Sequence, residues 1–242
     1  MAAGPAGPQL PPVTVHDVAA SSDRLVASLD ALDEGGWSRP SALPGWTVSH
    51  VVAHVALNAE ALTRVAADCR DGRLGVMYPG GPDARAADIS VLAGSSARAL
   101  IARLTSAIGG FEAAYPPLPA GEFAGAPGAP RADVSEVPFR RLREVEVHGT
   151  ATGIGDLGPR SWSDAYVDAD LPVQWETVAR RTREPGSVAD ENGGRWVTGG
   201  PAPEVRLERR TLLAWLLDRS VVPALPGLSP WGDQSRWLPA PD

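Results

Sequence analysis

Metal and nucleophile chemistry in this chain must be drawn from a short supply: four histidines, His16, His50, His54 and His148, and one cysteine, Cys69. In "FRRLREVEVHG", residues 139–149, Glu144 and His148 stand four residues apart, so on a helix turning about 100° per residue they share a face. Val137 and Ala151 lie on that face, Val145 and Val147 flank it, and Glu146 points the other way. In "VSHVVAHVALNAEALTRVAADC" the residues Val51, Val55, Leu62 and Val65 define an apolar stripe, with His54 at its edge beside Asn58. His50 falls about 40° further from the stripe, towards solvent.

His54 therefore turns inward from one helix, and Glu144 and His148 from another. A buried carboxylate needs a partner, and bundle cores build metal sites from side chains on facing helices. Two imidazoles and one carboxylate suit Zn2+ with its fourth position open, the pattern of a catalytic rather than a structural site. A plainer arrangement uses the same residues: an i,i+4 pair of Glu144 and His148, or Glu144 paired with Arg140 or Arg141. His16 and His50 read as ordinary polar residues, and Cys69 as a small packed residue near the end of its helix.

The elements that must position these groups follow from apolar spacing and breakers. Val18, Leu25, Val26, Leu29 and Leu32 set a first helix over about 13–32. "SALPGWT" is a turn with Thr47 as N-cap, and a second helix runs to about Cys69. "RDGRLGVMYPGGPDAR" reads as a loop. A third helix is expected from about Ala87 to Phe111, and "YPPLPAGEFAGAPGAPRAD" as a long irregular connection. Ser135 is the expected cap of a fourth helix with Pro138 in its first turn, ending at Gly153 or Gly155. Four amphipathic helices suggest a bundle. Beyond a boundary near Gly158-Pro159, "LPVQWETVARRTRE" reads as a helix, "GSVADENGGRWVTGG" as a hairpin turning near Asn192-Gly193, "EVRLERR" as a strand and "TLLAWLLDRS" as a helix. The expected fold is α+β and mostly α: a four-helix bundle over 1–158 and a small α-β-β-β-α domain over 159–242.

Composition narrows the function classes. A net charge of −7 argues against nucleic acid as a partner. No stretch reaches the roughly 18 apolar residues that span a bilayer, and "MAAGPAGPQLPP" lacks the basic and apolar regions of a signal peptide. One cysteine allows no disulfide framework. The expectation is a cytoplasmic protein, a monomer or weak homo-oligomer, with a frayed Pro/Gly start. All 22 basic residues are arginine, which reads as coding bias. There is no internal repeat, phosphate-binding glycine loop or G-x-S-x-G.

Together "LPGWTVSHVVAHVALNAEAL", "MYPGGPDARAADI" and "FRRLREVEVHG" resemble the mycothiol-dependent maleylpyruvate isomerases of the DinB-like superfamily, over nearly the whole chain. The resemblance implies a divalent metal, normally zinc, held by His54, Glu144 and His148. It also implies an arginine in a "W-L-x-G-R" segment that reaches towards the metal. Here the segment reads "WLLDR", which makes Arg219 the candidate and puts Asp218 where the family has glycine. Arg85, in "PDAR", falls on what resembles the family's substrate-side loop and is a second catalytic candidate.

The chemistry implied is a small thiol, mycothiol, made nucleophilic by the metal. It adds to the cis double bond of maleylpyruvate, the resulting single bond rotates, and elimination gives fumarylpyruvate. A dicarboxylate substrate suits an arginine clamp. Two alternatives stand beside this: a mycothiol S-transferase acting on an electrophilic small molecule, and a non-catalytic binding module that keeps the fold.

Overall fold

The computed structural model describes residues 12–181, 186–198 and 202–219, together with Val222 and Leu225. The expected Pro/Gly start, up to residue 11, lies outside them. The described chain is mostly α with two three-stranded sheets, and it divides into two compact units, one over Val13–Gly158 and one from Pro159 onward.

In the first unit the helices are α1 (Val15–Asp30), α2 (Glu34–Trp37), α3 (Val48–Arg70), α4 (Gly81–Ala93), α5 (Ala97–Ala114) and α6 (Val137–Ala151). α3 packs on α5, α5 on α1, α1 on α6 and α6 on α3, which closes a four-helix ring. α1 starts where the Thr14 hydroxyl accepts from the Asp17 amide and the Asp17 carboxylate accepts from the Thr14 amide. Val18, Leu25 and Leu29 of α1 are buried. α3 is the central helix: Val51, Val52, Val55, Leu62 and Val65 are buried together with Ala53, Ala56, Ala59, Ala61 and Ala66. Such small residues let neighbouring helices approach closely.

Several expectations are corrected. The third helix is two helices: Gly94 ends α4, and Ser96 starts α5 by accepting from the Ala99 amide at 3.3 Å. The segment "GPDAR", read as loop, is already helical, so Arg85 sits on α4. The long connections hold strands β1 (Gly75–Val76), β2 (Glu122–Ala124) and β3 (Arg131–Asp133), ordered β1-β2-β3. Strands this short show no alternation for a sequence pattern to detect. Gly75 is required by the packing of β1 on α3, because a Cβ there would lie 2.9 Å from Val65 Cγ1. Ser135 does not cap α6: it lies in a 3-10 turn, Val134–Glu136, where its amide donates to Asp133. Pro138 occupies the first turn of α6, where a missing N–H costs nothing.

The second unit runs α7 (Asp164–Arg181), β4 (Gly186–Asp190), β5 (Arg195–Thr198), β6 (Glu204–Leu207) and α8 (Arg209–Leu216). Its sheet is ordered β5-β4-β6, with β4 antiparallel to β5 and parallel to β6. α7 begins at Asp164 rather than Leu171 and takes Pro172 into its interior. The β4–β5 turn is built on Asp190, which accepts from the Asn192 and Gly194 amides at 2.9 and 2.8 Å and from Trp196 Nε1 at 2.9 Å. Among the described residues no helix is long and apolar enough to cross a membrane.

Candidate metal centre

α3 and α6 bring His54, Glu144 and His148 together, with one potential ligand atom from each lying within 4.8 Å of the others. His54 is 1% exposed and His148 6%. The two rings lie edge to face, centroids 4.4 Å apart. Trp46, in the turn before α3, packs edge-on against His54 with centroids 5.7 Å apart and closes one side.

Hydrogen bonds fix the proton on each ring. Arg85 can only donate, so His54 Nδ1, 3.0 Å from Arg85 Nη2, carries a lone pair. His54 Nε2–H then donates to Glu144 Oε2 at 2.9 Å. His148 Nδ1–H donates to the Glu144 main-chain carbonyl at 2.9 Å, so whenever the ring is neutral Nε2 is the nitrogen with the lone pair. Burial, and next the neighbouring His148, push His54 down to about 3. For Glu144 burial alone would raise the carboxyl. His148, the His54 hydrogen bond and Arg85 outweigh it and hold the group well below the usual carboxylate range. At neutral pH His54 is therefore neutral and Glu144 ionised, the states a cation requires of them. The donor set fits a divalent ion.

Two arginines border the triad. Arg85 is 7% exposed, its guanidinium stands 5.0 Å over the Tyr78 ring, and its Nε meets no acceptor among the described residues. With Tyr78, Leu57, Arg64 and Met77 it lines a cleft of about 750 Å3. Arg141 is 1% exposed: Nη1 donates to the Val55 carbonyl and to Asn58 Oδ1, each at 2.9 Å. Burial lowers this guanidinium to about 10. It does not pair with Glu144 in a salt bridge, and Arg140 pairs with Glu136 instead. Arg141 was legible in principle, since seven residues before His148 puts it only about 20° away on the wheel.

Glu146 does point away from the Glu144 face, yet it is 7% exposed rather than solvated. The reason is that α6 is covered on both flanks. α1 packs on its second side, where Glu146 accepts from Ser21 Oγ and Arg24 Nη2, both at 2.8 Å. His50 is likewise more than a polar bystander: its Nδ1 accepts from the Thr47 amide at 3.3 Å and faces the Thr47 hydroxyl at 2.8 Å, so it secures the start of α3. His16 lies in the first turn of α1.

Arg219 belongs to the second unit, after α8. Asp218 there has φ 55, the left-handed conformation a glycine would take. The Arg219 amide donates to the Ala214 carbonyl at 2.7 Å and the Asp218 amide to Trp215 at 3.0 Å, the paired bonds of a Schellman cap. The turn is thus kept without its glycine. Burial lowers the Arg219 guanidinium, and its Nε meets no acceptor among the described residues.

The crystal structure of the mycothiol-dependent maleylpyruvate isomerase matches with a TM-score of 0.75 at 20% identity, covering 88% of this chain and 94% of that one. The crystal structure of a histidine-to-alanine mutant of the mycothiol-dependent maleylpyruvate isomerase matches at 0.74, with the same identity and coverage. At that identity the likeness is one of fold. No curated protein matches the chain. The model of the mycothiol maleylpyruvate isomerase N-terminal domain matches residues 18–151, more than half of the 242. The chain belongs to that family.

Proposed function

We propose that this chain is a metal-dependent enzyme that uses mycothiol to isomerise maleylpyruvate to fumarylpyruvate. The observation that carries the reading is the convergence of His54, Glu144 and His148 within 4.8 Å, in a chain of this family. His54, Glu144 and His148 would hold a divalent ion, zinc by the chemistry of the donors. When bound, the ion would supply acidification of a thiol, which makes it a nucleophile at neutral pH.

The remaining work falls to the chain's own side chains. The Glu144 carbonyl orients His148 through its Nδ1–H, and a fixed ring keeps its lone pair aimed. Trp46 and the apolar face of α3 exclude water from one side of His54. Arg85 supplies a buried guanidinium next to the triad, suited to a substrate carboxylate. Arg219, the arginine of the family's pattern, is proposed as a second group for a substrate carboxylate. Cys69 is not the nucleophile: it stands fifteen residues after His54 on the same helix, roughly 22 Å along the axis at 1.5 Å per residue. Burial also pushes its thiol up, and Sγ meets the Glu122 carbonyl at 3.5 Å. The sulfur must come from a cosubstrate.

The test is metal content with matched variants. Wild type should hold about one zinc per chain and His54→Ala none. Arg219→Ala should keep the metal while losing turnover, with Arg219→Lys restoring only part of it. Wild type without metal affinity at neutral pH, or full turnover in Arg219→Ala, contradicts the corresponding assignment.

A further inference from the structure

The position of Arg85 has a consequence for how the site fills. Its Nη2 donates to His54 Nδ1 at 3.0 Å while His54 Nε2 donates to Glu144. A neutral imidazole has one lone pair and one N–H. If Nε2 takes the ion, the ring proton must sit on Nδ1, where it would face a second donor at 3.0 Å. If Nδ1 takes the ion, the ion uses the lone pair that Arg85 now occupies. By either route Arg85 has to let go of His54.

The space beside it suits its release. Arg85 already lines the cleft of about 750 Å3, with Tyr78 beneath its guanidinium and Arg64 also in the lining. The Arg64 guanidinium meets only the Met77 carbonyl among the described residues, at 3.3 Å. Its Nη1 and Nε are thus available to an acceptor, as is Arg85 Nε. Two guanidiniums lining one cleft, one of them buried, suit a carboxylate.

We infer that Arg85 is a latch between the metal centre and this cleft: metal binding at His54 frees its guanidinium, which with Arg64 then takes a carboxylate. The inference rests on the proposed metal site. It makes metal and carboxylate bind with positive coupling. Because coupling between sites is reciprocal, each must tighten the other by the same factor.

The experiment is calorimetric titration of the full chain with zinc and with succinate, an inert dicarboxylate. In wild type, zinc should raise succinate affinity about tenfold or more, the scale of one hydrogen bond involving a charged group, and succinate should raise zinc affinity equally. Arg85→Met should bind zinc about tenfold more tightly than wild type and lose the coupling. Arg64→Met should keep the zinc affinity of wild type and weaken succinate binding only. Coupling of wild-type size in Arg85→Met, which direct coordination of succinate by zinc would produce, overturns the latch. So does zinc binding in that variant no tighter than in wild type.

A readout on the wild type alone guards against misfolding of the variant. The Arg85 guanidinium protons should be protected from exchange in metal-free protein and lose that protection when zinc is added, as seen by 1H–15N NMR. Zinc bound with Arg85 still protected overturns the latch and leaves the metal site standing. No zinc binding at all overturns the metal site itself.

Discussion

Acid should unfold the metal-free protein through His54 before carboxylates contribute. The ordinary imidazole titrates near 6.5, and burial, then the neighbouring His148, bring His54 down to about 3. Between those values the unfolded chain binds a proton that the folded chain refuses, so stability falls as pH falls, by about 1.4 kcal/mol per unit. Integrated from pH 7, the loss is about 2 kcal/mol at pH 5 and about 3 kcal/mol at pH 4. Below about 3 both states are protonated and the contribution stops growing. Glu144 acts with the same sign lower down: its depressed carboxyl gives stability present above the ordinary glutamate range and lost as pH falls below it.

The clean window is therefore pH 6.5 to 5, where His54 acts with little help from Glu144. Urea unfolding of EDTA-treated wild type and His54→Gln at pH 7, 6 and 5 measures it. The wild type should lose about 2 kcal/mol across this range, and His54→Gln should lose most of that dependence. An equal slope in both proteins would refute the assignment of a buried neutral imidazole at position 54.

His50→Ala should keep the metal but destabilise the protein by about 1 kcal/mol, the usual worth of a helix N-terminal cap, whereas His54→Ala loses the metal; metal analysis and thermal melts separate the two. Asp218→Gly should stabilise the second unit by roughly 0.5–1 kcal/mol, because glycine takes the φ 55 conformation without the steric cost aspartate bears. A lower melting temperature would show instead that the Asp218 side chain supports the turn. Cys69→Ala should leave thiol-dependent turnover intact, since its Sγ contacts β2 rather than the metal ligands; lost turnover in a folded variant would count against an external thiol.

The convergence of His54, Glu144 and His148 was legible in the sequence because helical angle alone sorts them onto inward faces, and Thr47 sits where capping chemistry requires. What stayed hidden depended on a second neighbour. The burial of Glu146 and Arg141 follows only from the enclosure of α6 by α1 on one side and α3 on the other. Gly80, Gly81 and Pro82 suggest a turn and so a loop position for Arg85, yet a proline in the first turn of a helix is equally at home. The break between α4 and α5 is hidden from the sequence pattern because the apolar period runs through Leu92 to Leu100 across a short Gly94-Ser95-Ser96 interruption. Strands β1 to β3 are fixed by pairing between distant segments, which local pattern does not carry.

In the proposed reaction a thiol from outside the chain works at the His54–Glu144–His148 centre and is returned unchanged. The most direct test is product analysis by mass spectrometry after the zinc-loaded full chain meets maleylpyruvate and mycothiol in equal amounts. The expected result is fumarylpyruvate, complete recovery of free mycothiol, and no conversion when mycothiol or zinc is left out. Conversion without the thiol, or mycothiol consumed in a stable adduct with the substrate, would contradict it.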